Sequence, residues 1–193
     1  MRRVLQGFLL SLSLLLAATA TAGPALPGDS VYNLPASMTD QSGRVLAWQD
    51  LRGKPVVVSM FYTNCHLMCP LIIASGKALQ KQLPQDQQSA LDFAVVSIDP
   101  ARDTPAALAE VSQQHRLDNA RWHLLRPEAR DVRTLASALG VRYRAQPDGS
   151  FNHTSVLILL DRDGRIVARS EVDGLQPDPA FVSTVREHLA APN

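Results

Sequence analysis

Residues 56–70 read VVVSMFYTNCHLMCP, and this stretch predicts a strand, a loop that carries both cysteines of the chain, and the start of a helix. Its first seven residues are almost all β-branched, aromatic or apolar, which is typical of a strand buried on both faces. Pro70 fits the first position of a helix, and Pro84 ends the apolar face that follows. We therefore expect the cysteine loop between the end of a buried strand and the beginning of a helix.

Strand and helix patterns alternate over the rest of the chain. The expected strands are 93–98, 122–125, 155–160 and 165–169, with a hairpin arm at 45–48, and the expected helices start near Pro105, Pro127 and Pro179. This alternation predicts a three-layer α/β domain with a mixed central sheet and an N-terminal hairpin. The last two strands must be antiparallel, because the four-residue turn at 161–164 cannot make a parallel crossover.

Length and composition exclude several classes of protein. The chain has 193 residues, of which 46% are hydrophobic, and 19 Lys and Arg balance 18 Asp and Glu. It is too apolar and too neutral for a disordered protein, and it lacks the basic excess expected of a nucleic-acid partner. Its length suits one domain with a substantial core. Two cysteines cannot build a multi-disulfide scaffold, so any cysteine chemistry is local.

The N-terminus has the pattern of an export signal. Arg2 and Arg3 precede an apolar stretch at 4–18, and Ala20-Thr21-Ala22 matches a small-x-small cleavage site. These features predict that residues 1–22 are a signal peptide and that the mature protein is exported.

An uncleaved anchor is the alternative interpretation of the same segment, with residues 4–20 as a membrane tether. A Pro/Gly-containing linker at 23–30 would then lead into one domain at 31–193. In either case we expect a periplasmic location, soluble or tethered to the outer face of the inner membrane.

The spacing Cys65-x-x-x-Cys69 points to thiolate chemistry. The N-terminus of the following helix carries partial positive charge, which lowers the pKa of a nearby thiol. Two thiolates are soft ligands, and copper(I) is the metal that they favour outside the cytosol, whereas structural zinc usually takes four protein ligands. The two cysteines could also form a reversible redox disulfide, or an inert structural one. Attachment of a c-type haem is excluded, because its motif has two residues between the cysteines.

Histidines must complete any metal site, since the chain has only these two cysteines. Of the five histidines, His66 lies inside the cysteine loop, and His153 precedes the strand expected at 155–160. If that strand runs antiparallel to the one at 56–62, its beginning meets the other's end, and His153 lies beside the cysteines. An ordinary loop histidine near a strand start is an equally good interpretation of His153. The patterns favour structural or solvent-facing roles for the remaining three, His115, His123 and His188.

Four features together resemble the SCO/SenC family of thioredoxin-like copper-binding proteins. They are FYTxCxxxCP at 61–70, SIDPxRDTP at 97–105, His153 just before an apolar strand, and LDRDGR at 160–165. They occur in the expected order across most of the domain.

The resemblance implies a thioredoxin-like fold and a copper ion, Cu(I) or Cu(II), bound by Cys65, Cys69 and His153. It also implies delivery of copper to the dinuclear copper site of cytochrome c oxidase subunit II, or reduction of the cysteines of that site from a disulfide to thiols. The family's partner is thus subunit II or another copper-receiving protein.

This chain departs from the family pattern at two neighbours of the implied ligands. His66 follows the first cysteine where members often have Pro, and Asn152 precedes the distal histidine where they often have Asp. Met68 adds a thioether between the cysteines, so His66 and Met68 form a hypothesis of extra ligands.

Asp99 and Asp103 fit an Asp-Pro turn and the loop before a Thr-Pro helix start, which favours a structural role. The loop that carries them could nevertheless border the site and support its ligands.

Three functions compete on the sequence. The first is a copper chaperone, and the second is a partner-specific thiol–disulfide oxidoreductase that uses Cys65 and Cys69, for which the Cys-x-x-Cys spacing of thioredoxin is missing. The third is a peroxiredoxin-like peroxidase, which the spacing disfavours because Thr63 lies two residues before Cys65 and not three. We therefore predict a metallochaperone and leave open whether the protein is also an enzyme.

Overall fold

The computed structural model describes residues 25–65 and 67–191. The strands are β1 (Ser37–Asp40), β2 (Val45–Ala47), β3 (Val56–Phe61), β4 (Asp92–Ser97), β5 (Trp122–Pro127), β6 (Tyr143–Ala145), β7 (Phe151–His153), β8 (Val156–Leu160) and β9 (Ile166–Glu171). The helices are α1 (Met68–Gln82), α2 (Gln85–Gln88), α3 (Pro105–Gln114), α4 (Val132–Ala138) and α5 (Pro179–Ala190). Two short 3₁₀ helices cover Val31–Asn33 and Trp48–Leu51.

The predicted signal peptide or tether lies outside the described residues. Among those that are described, no helix combines the length and the apolar character needed to cross a membrane. Ser30, at the end of the expected linker, is already buried.

Seven strands form one mixed sheet in the order β2-β1-β5-β4-β3-β8-β9. The three central neighbours β3, β4 and β5 are parallel, whereas β1, β2, β8 and β9 join the sheet by antiparallel pairing. Every residue of β3 and β8 is buried, so the sheet is covered on both faces. This architecture confirms the predicted α/β class with its mixed sheet and N-terminal hairpin.

The antiparallel pairing of β3 with β8 brings two distant segments together. Val56 lies opposite Leu160 and Val58 lies opposite Ile158, and the Ser59 hydroxyl donates a 2.7 Å hydrogen bond to the Val156 carbonyl. The end of β3 therefore adjoins the beginning of β8, as the conditional argument about His153 required.

Two details differ from the sequence prediction. Pro127 does not open a helix: it is the last residue of β5, opposite Met38, and α4 begins only at Val132. The fixed φ of proline suits an extended strand end as well as a first helical turn, so local sequence could not separate the two. The prediction also missed the hairpin of β6 and β7, whose strands have only three residues each.

The turn between β8 and β9 is packed against the N-terminal segment. Gly164 has φ +81°, and a Cβ placed there would lie 2.7 Å from Cγ of the buried Tyr32 ring. The Gly164 carbonyl also accepts a 2.9 Å hydrogen bond from the Val31 N–H. Because both the backbone angle and the contact require glycine, this turn is a sensitive point of the fold.

We expect Gly164→Ala to lower the free energy of unfolding by roughly 2–4 kcal/mol, the sum of the positive-φ strain and the overpacking against Tyr32. Gly43→Ala is the matched control, since Gly43 has φ +83° but open space around it. It should cost only the backbone strain, about 1 kcal/mol. Urea unfolding of both variants measures the difference, and equal losses would contradict the proposed contact.

Candidate metal centre

The cysteine loop connects the end of β3 to the start of α1, where backbone N–H groups point at the sulfurs. The Cys69 N–H donates to the Cys65 Sγ at 3.3 Å, and the Tyr62 N–H donates to the Cys69 Sγ at 3.5 Å. Both thiols are free; Cys69 is buried and Cys65 is half-buried. Donors at a helix start stabilise a negative sulfur, so the start of α1 favours a thiolate at Cys65.

His153, the last residue of β7, presents its imidazole to the buried thiol. Its Nε2 lies 4.0 Å from the Cys69 Sγ, and its Nδ1 lies 3.1 Å from the Thr154 carbonyl oxygen. Since a carbonyl can only accept, Nδ1 carries the proton in this contact and Nε2 keeps its lone pair toward the sulfurs. Metal-binding histidines commonly use their second nitrogen in this way.

The three side chains that the sequence singled out thus meet in one place. The two Sγ atoms and one imidazole nitrogen of His153 all lie within 4.8 Å of one another. Among the described residues, these three side chains form the group of His, Cys, Asp and Glu residues that could hold a metal ion.

The two thiols have opposite electrostatic environments. Burial raises the pKa of Cys65, but hydrogen bonds from the Cys69 side chain and from backbone N–H groups around the start of α1 outweigh it, so the pKa is lowered. Burial dominates at Cys69 and raises the pKa of its thiol well above the ordinary value. Burial also lowers the pKa of His153, which keeps the imidazole neutral and able to bind a metal.

Asp103 holds the cysteine loop in place through hydrogen bonds. Its carboxylate accepts hydrogen bonds from the Thr63 N–H (3.0 Å), from the Thr63 hydroxyl (2.6 Å) and from the Ser97 hydroxyl. Asp103 is fully buried, and this burial raises its pKa. It therefore acts on the site through Thr63, two residues before the first cysteine. Asp99 instead pairs with Arg102.

The other residues suggested by the sequence lie around the same site. Met68 and Asn152 line, together with His153, an open groove of about 770 Å³. His66 lies outside the described residues.

The sequence alone indicated no separate role for Tyr62. Its hydroxyl accepts a 3.2 Å hydrogen bond from the Phe151 N–H, and its ring makes an edge contact with the His153 ring, the two centroids being 5.9 Å apart. Its position in the FYTxCxxxCP motif is the sequence feature that could have indicated this contact.

We expect iodoacetamide to alkylate Cys65 before Cys69 in the reduced, metal-free protein. Cys65 is more exposed and its lowered pKa gives more thiolate near pH 8, whereas the buried Cys69 stays protonated. Peptide mass spectrometry of timed samples over a series of pH values measures both rates, and the Cys65 rate should reach half its maximum at a lower pH than that of an unperturbed cysteine thiol. Faster labelling of Cys69 would contradict this assignment of the two thiols.

Solved structures show the same fold. A SCO1/SenC family lipoprotein from Bacillus anthracis superposes with a TM-score of 0.72 at 23% identity, covering 80% of this chain and 94% of that one. The copper-bound structure of Bradyrhizobium japonicum ScoI superposes with a TM-score of 0.66 at 22% identity, covering 80% and 98%. These likenesses confirm the thioredoxin-like fold.

Sequence comparison identifies the family. A protein of Stutzerimonas stutzeri named for copper binding is 28% identical over 147 residues, which cover 72% of this chain and 71% of the relative. The SCO1 protein homolog of Bacillus subtilis is 23% identical over 150 residues, 75% of each chain. The SCO1/SenC family model matches residues 27–189, which include the whole sheet and the candidate metal centre. The chain therefore belongs to the SCO1/SenC family.

Proposed function

We propose that this protein binds a copper ion through Cys65, Cys69 and His153 and delivers it to an acceptor protein. The observation that carries the proposal is the 4.0 Å approach of the His153 Nε2 to the Cys69 Sγ, between residues 84 positions apart in the chain. A disulfide or a structural thiol pair would need no such imidazole.

The donor set fits copper. Thiolate sulfur is a soft ligand that selects Cu(I), and imidazole binds copper in either oxidation state. A metal bonded at about 2.0–2.3 Å in a trigonal plane separates its ligands by roughly 3.5–4 Å, so the 4.0 Å between Sγ and Nε2 already approaches a bound arrangement. The copper-bound ScoI of Bradyrhizobium japonicum and the copper-binding name of the Stutzerimonas stutzeri relative support the same metal.

The unequal exposure of the three ligands suits a copper ion that is bound and later released to another protein. Cys69 is buried, whereas Cys65 and His153 are half-buried, and His153 also borders the open groove. An incoming ligand of the acceptor can therefore reach the copper from the side of Cys65 while Cys69 still holds it. We propose the dinuclear copper site of cytochrome c oxidase subunit II as this acceptor, and an exported, periplasmic location consistent with the N-terminal pattern.

Thiol–disulfide exchange would use the same cysteines. The lowered pKa of Cys65 suits an attacking thiolate. That reaction does not require the His153 lone pair beside the sulfurs, whereas a metal site does, and for this reason the metal site is the better account of the geometry.

We expect Cys65→Ser, Cys69→Ser and His153→Ala each to weaken copper binding by about 100-fold or more, because each removes one of three ligands. Competition of the reduced protein, prepared without residues 1–22, against a copper chelator measures the loss. His188→Ala is the control, since His188 lies on α5 outside the group of three. Wild-type affinity in any of the three variants would remove that residue from the site.

The extra-ligand hypothesis has a separate measurement. X-ray absorption of copper-loaded His66→Ala and Met68→Leu reports the coordinating atoms directly. Coordination unchanged from the wild type in both would reject His66 and Met68 as ligands.

We further expect copper to move from the loaded protein to the metal-free soluble domain of oxidase subunit II. Transfer appears as copper in the acceptor fraction after separation of the two proteins. His153→Ala, loaded as far as its affinity allows, should transfer less per molecule. Copper that stays with the loaded wild-type protein would contradict delivery to this acceptor and leave the binding result intact.

A further inference from the structure

The position of His153 depends on a small hairpin outside the main sheet. We call residues 143–153, which comprise β6, β7 and the turn between them, the ligand hairpin. Its three-residue strands pair only with each other, with Tyr143 opposite His153 and Ala145 opposite Phe151. A two-stranded hairpin is marginally stable by itself in water, so contacts with the body of the protein must hold it against the cysteine loop.

Tyr62 supplies one of these contacts, at β7 of the ligand hairpin. Its hydroxyl accepts a hydrogen bond from the Phe151 N–H at 3.2 Å and lies 3.4 Å from the Phe151 carbonyl oxygen. The two rings also meet edge to face at 5.3 Å. This contact holds β7, and a second residue holds the adjacent turn.

Arg102 reaches that turn from the loop between β4 and α3. Its Nε donates to the Asp99 carboxylate, and its Nη2 donates to the Gly149 carbonyl oxygen in the hairpin turn. Its guanidinium carbon also lies 5.8 Å from the centroid of the Phe151 ring. A planar guanidinium can make these contacts together, since its donors point in different directions while its face covers a ring.

The loop that carries Arg102 is itself rigidly attached to the sheet. The Asp99 N–H donates to the Ser97 hydroxyl at 3.0 Å, and the Asp99 carboxylate also receives the Arg102 Nε. The Arg102 N–H and the Asp103 N–H both donate to the Asp99 carbonyl at 3.0 Å. Arg102 therefore connects a fixed loop at the end of β4 to the turn of the ligand hairpin.

We propose that Arg102 is a positioning residue, which holds the ligand hairpin closed and thereby keeps the His153 imidazole within reach of the two thiols. The part of this proposal that concerns metal binding rests on the proposed function, whereas the closure of the hairpin does not. Because the Arg102 side chain is 42% exposed, its ion pair adds little to global stability, and its effect is local.

The test uses Arg102→Ala and Arg102→Lys, with Arg144→Ala as the matched control, because Arg144 is an exposed arginine on β6 of the same hairpin. Amide hydrogen exchange of residues 143–153 is measured in the reduced, metal-free protein. We expect Arg102→Ala to raise these exchange rates by roughly 10-fold, the effect of losing charge-assisted hydrogen bonds, while Arg144→Ala leaves them unchanged and neither variant lowers the midpoint of global unfolding. Unchanged exchange rates in Arg102→Ala would overturn the proposal, whatever the result of the copper-binding measurement.

Copper binding provides the second readout. Arg102→Ala should weaken copper affinity about 10-fold and reduce the imidazole nitrogen coupling in the paramagnetic resonance spectrum of the Cu(II) form. Arg102→Lys keeps the positive charge but not the planar guanidinium with its several donors. Its copper affinity and its nitrogen coupling should therefore both stay below those of the wild type. Full restoration by lysine would mean that charge alone acts, and would overturn the positioning role. A wild-type protein that binds no copper would reject the proposed function, while hydrogen exchange would still decide the role of Arg102.

Discussion

The pairing of β3 with β8 is the constraint on which the candidate metal centre depends. Strand β3 delivers the cysteine loop at its end, and β8 begins shortly after His153. Only antiparallel pairing places that end and that beginning at the same edge of the sheet. A parallel arrangement would put the imidazole and the thiols at opposite edges. Burial of every residue of both strands makes the register costly to change, because a slip of one residue would turn each side chain to the other face.

Where β3 meets β8, the buried sulfur of Cys69 and the half-buried sulfur of Cys65 accept hydrogen bonds from different backbone N–H groups. Cys69 lies at the start of α1 and is buried against the end of β3, while Cys65 is half-buried and receives several hydrogen bonds. The neutral imidazole completes the group from a third segment. A site of this kind can retain a soft cation and still expose it to a competing ligand, which is the combination that metal transfer needs.

Residues other than the three ligands keep this geometry in place. Asp103 holds Thr63, and through it the cysteine loop, while Tyr62 holds β7 of the ligand hairpin and Arg102 holds its turn. All three residues belong to motifs on which the family resemblance rests, Tyr62 to the one at 61–70 and Arg102 and Asp103 to the one at 97–105. The motifs thus correspond to the connections between the loops that meet at the site, in addition to the thiols.

The amino-acid sequence alone determined the α/β class, the placement of the cysteine pair between a buried strand and a helix, and the choice of His153 as the histidine to test. The first two conclusions depend on local patterns, namely apolar runs, turn residues and the spacing of two thiols, whereas the choice of His153 depends on the family resemblance. The sequence could not determine the direction of β8 relative to β3, the role of Pro127 at the end of β5, or the hairpin of β6 and β7. Each of these depends on contacts between residues far apart in the chain, whose free energy appears only when the sheet assembles, and so the tertiary structure decided that the imidazole meets the sulfurs.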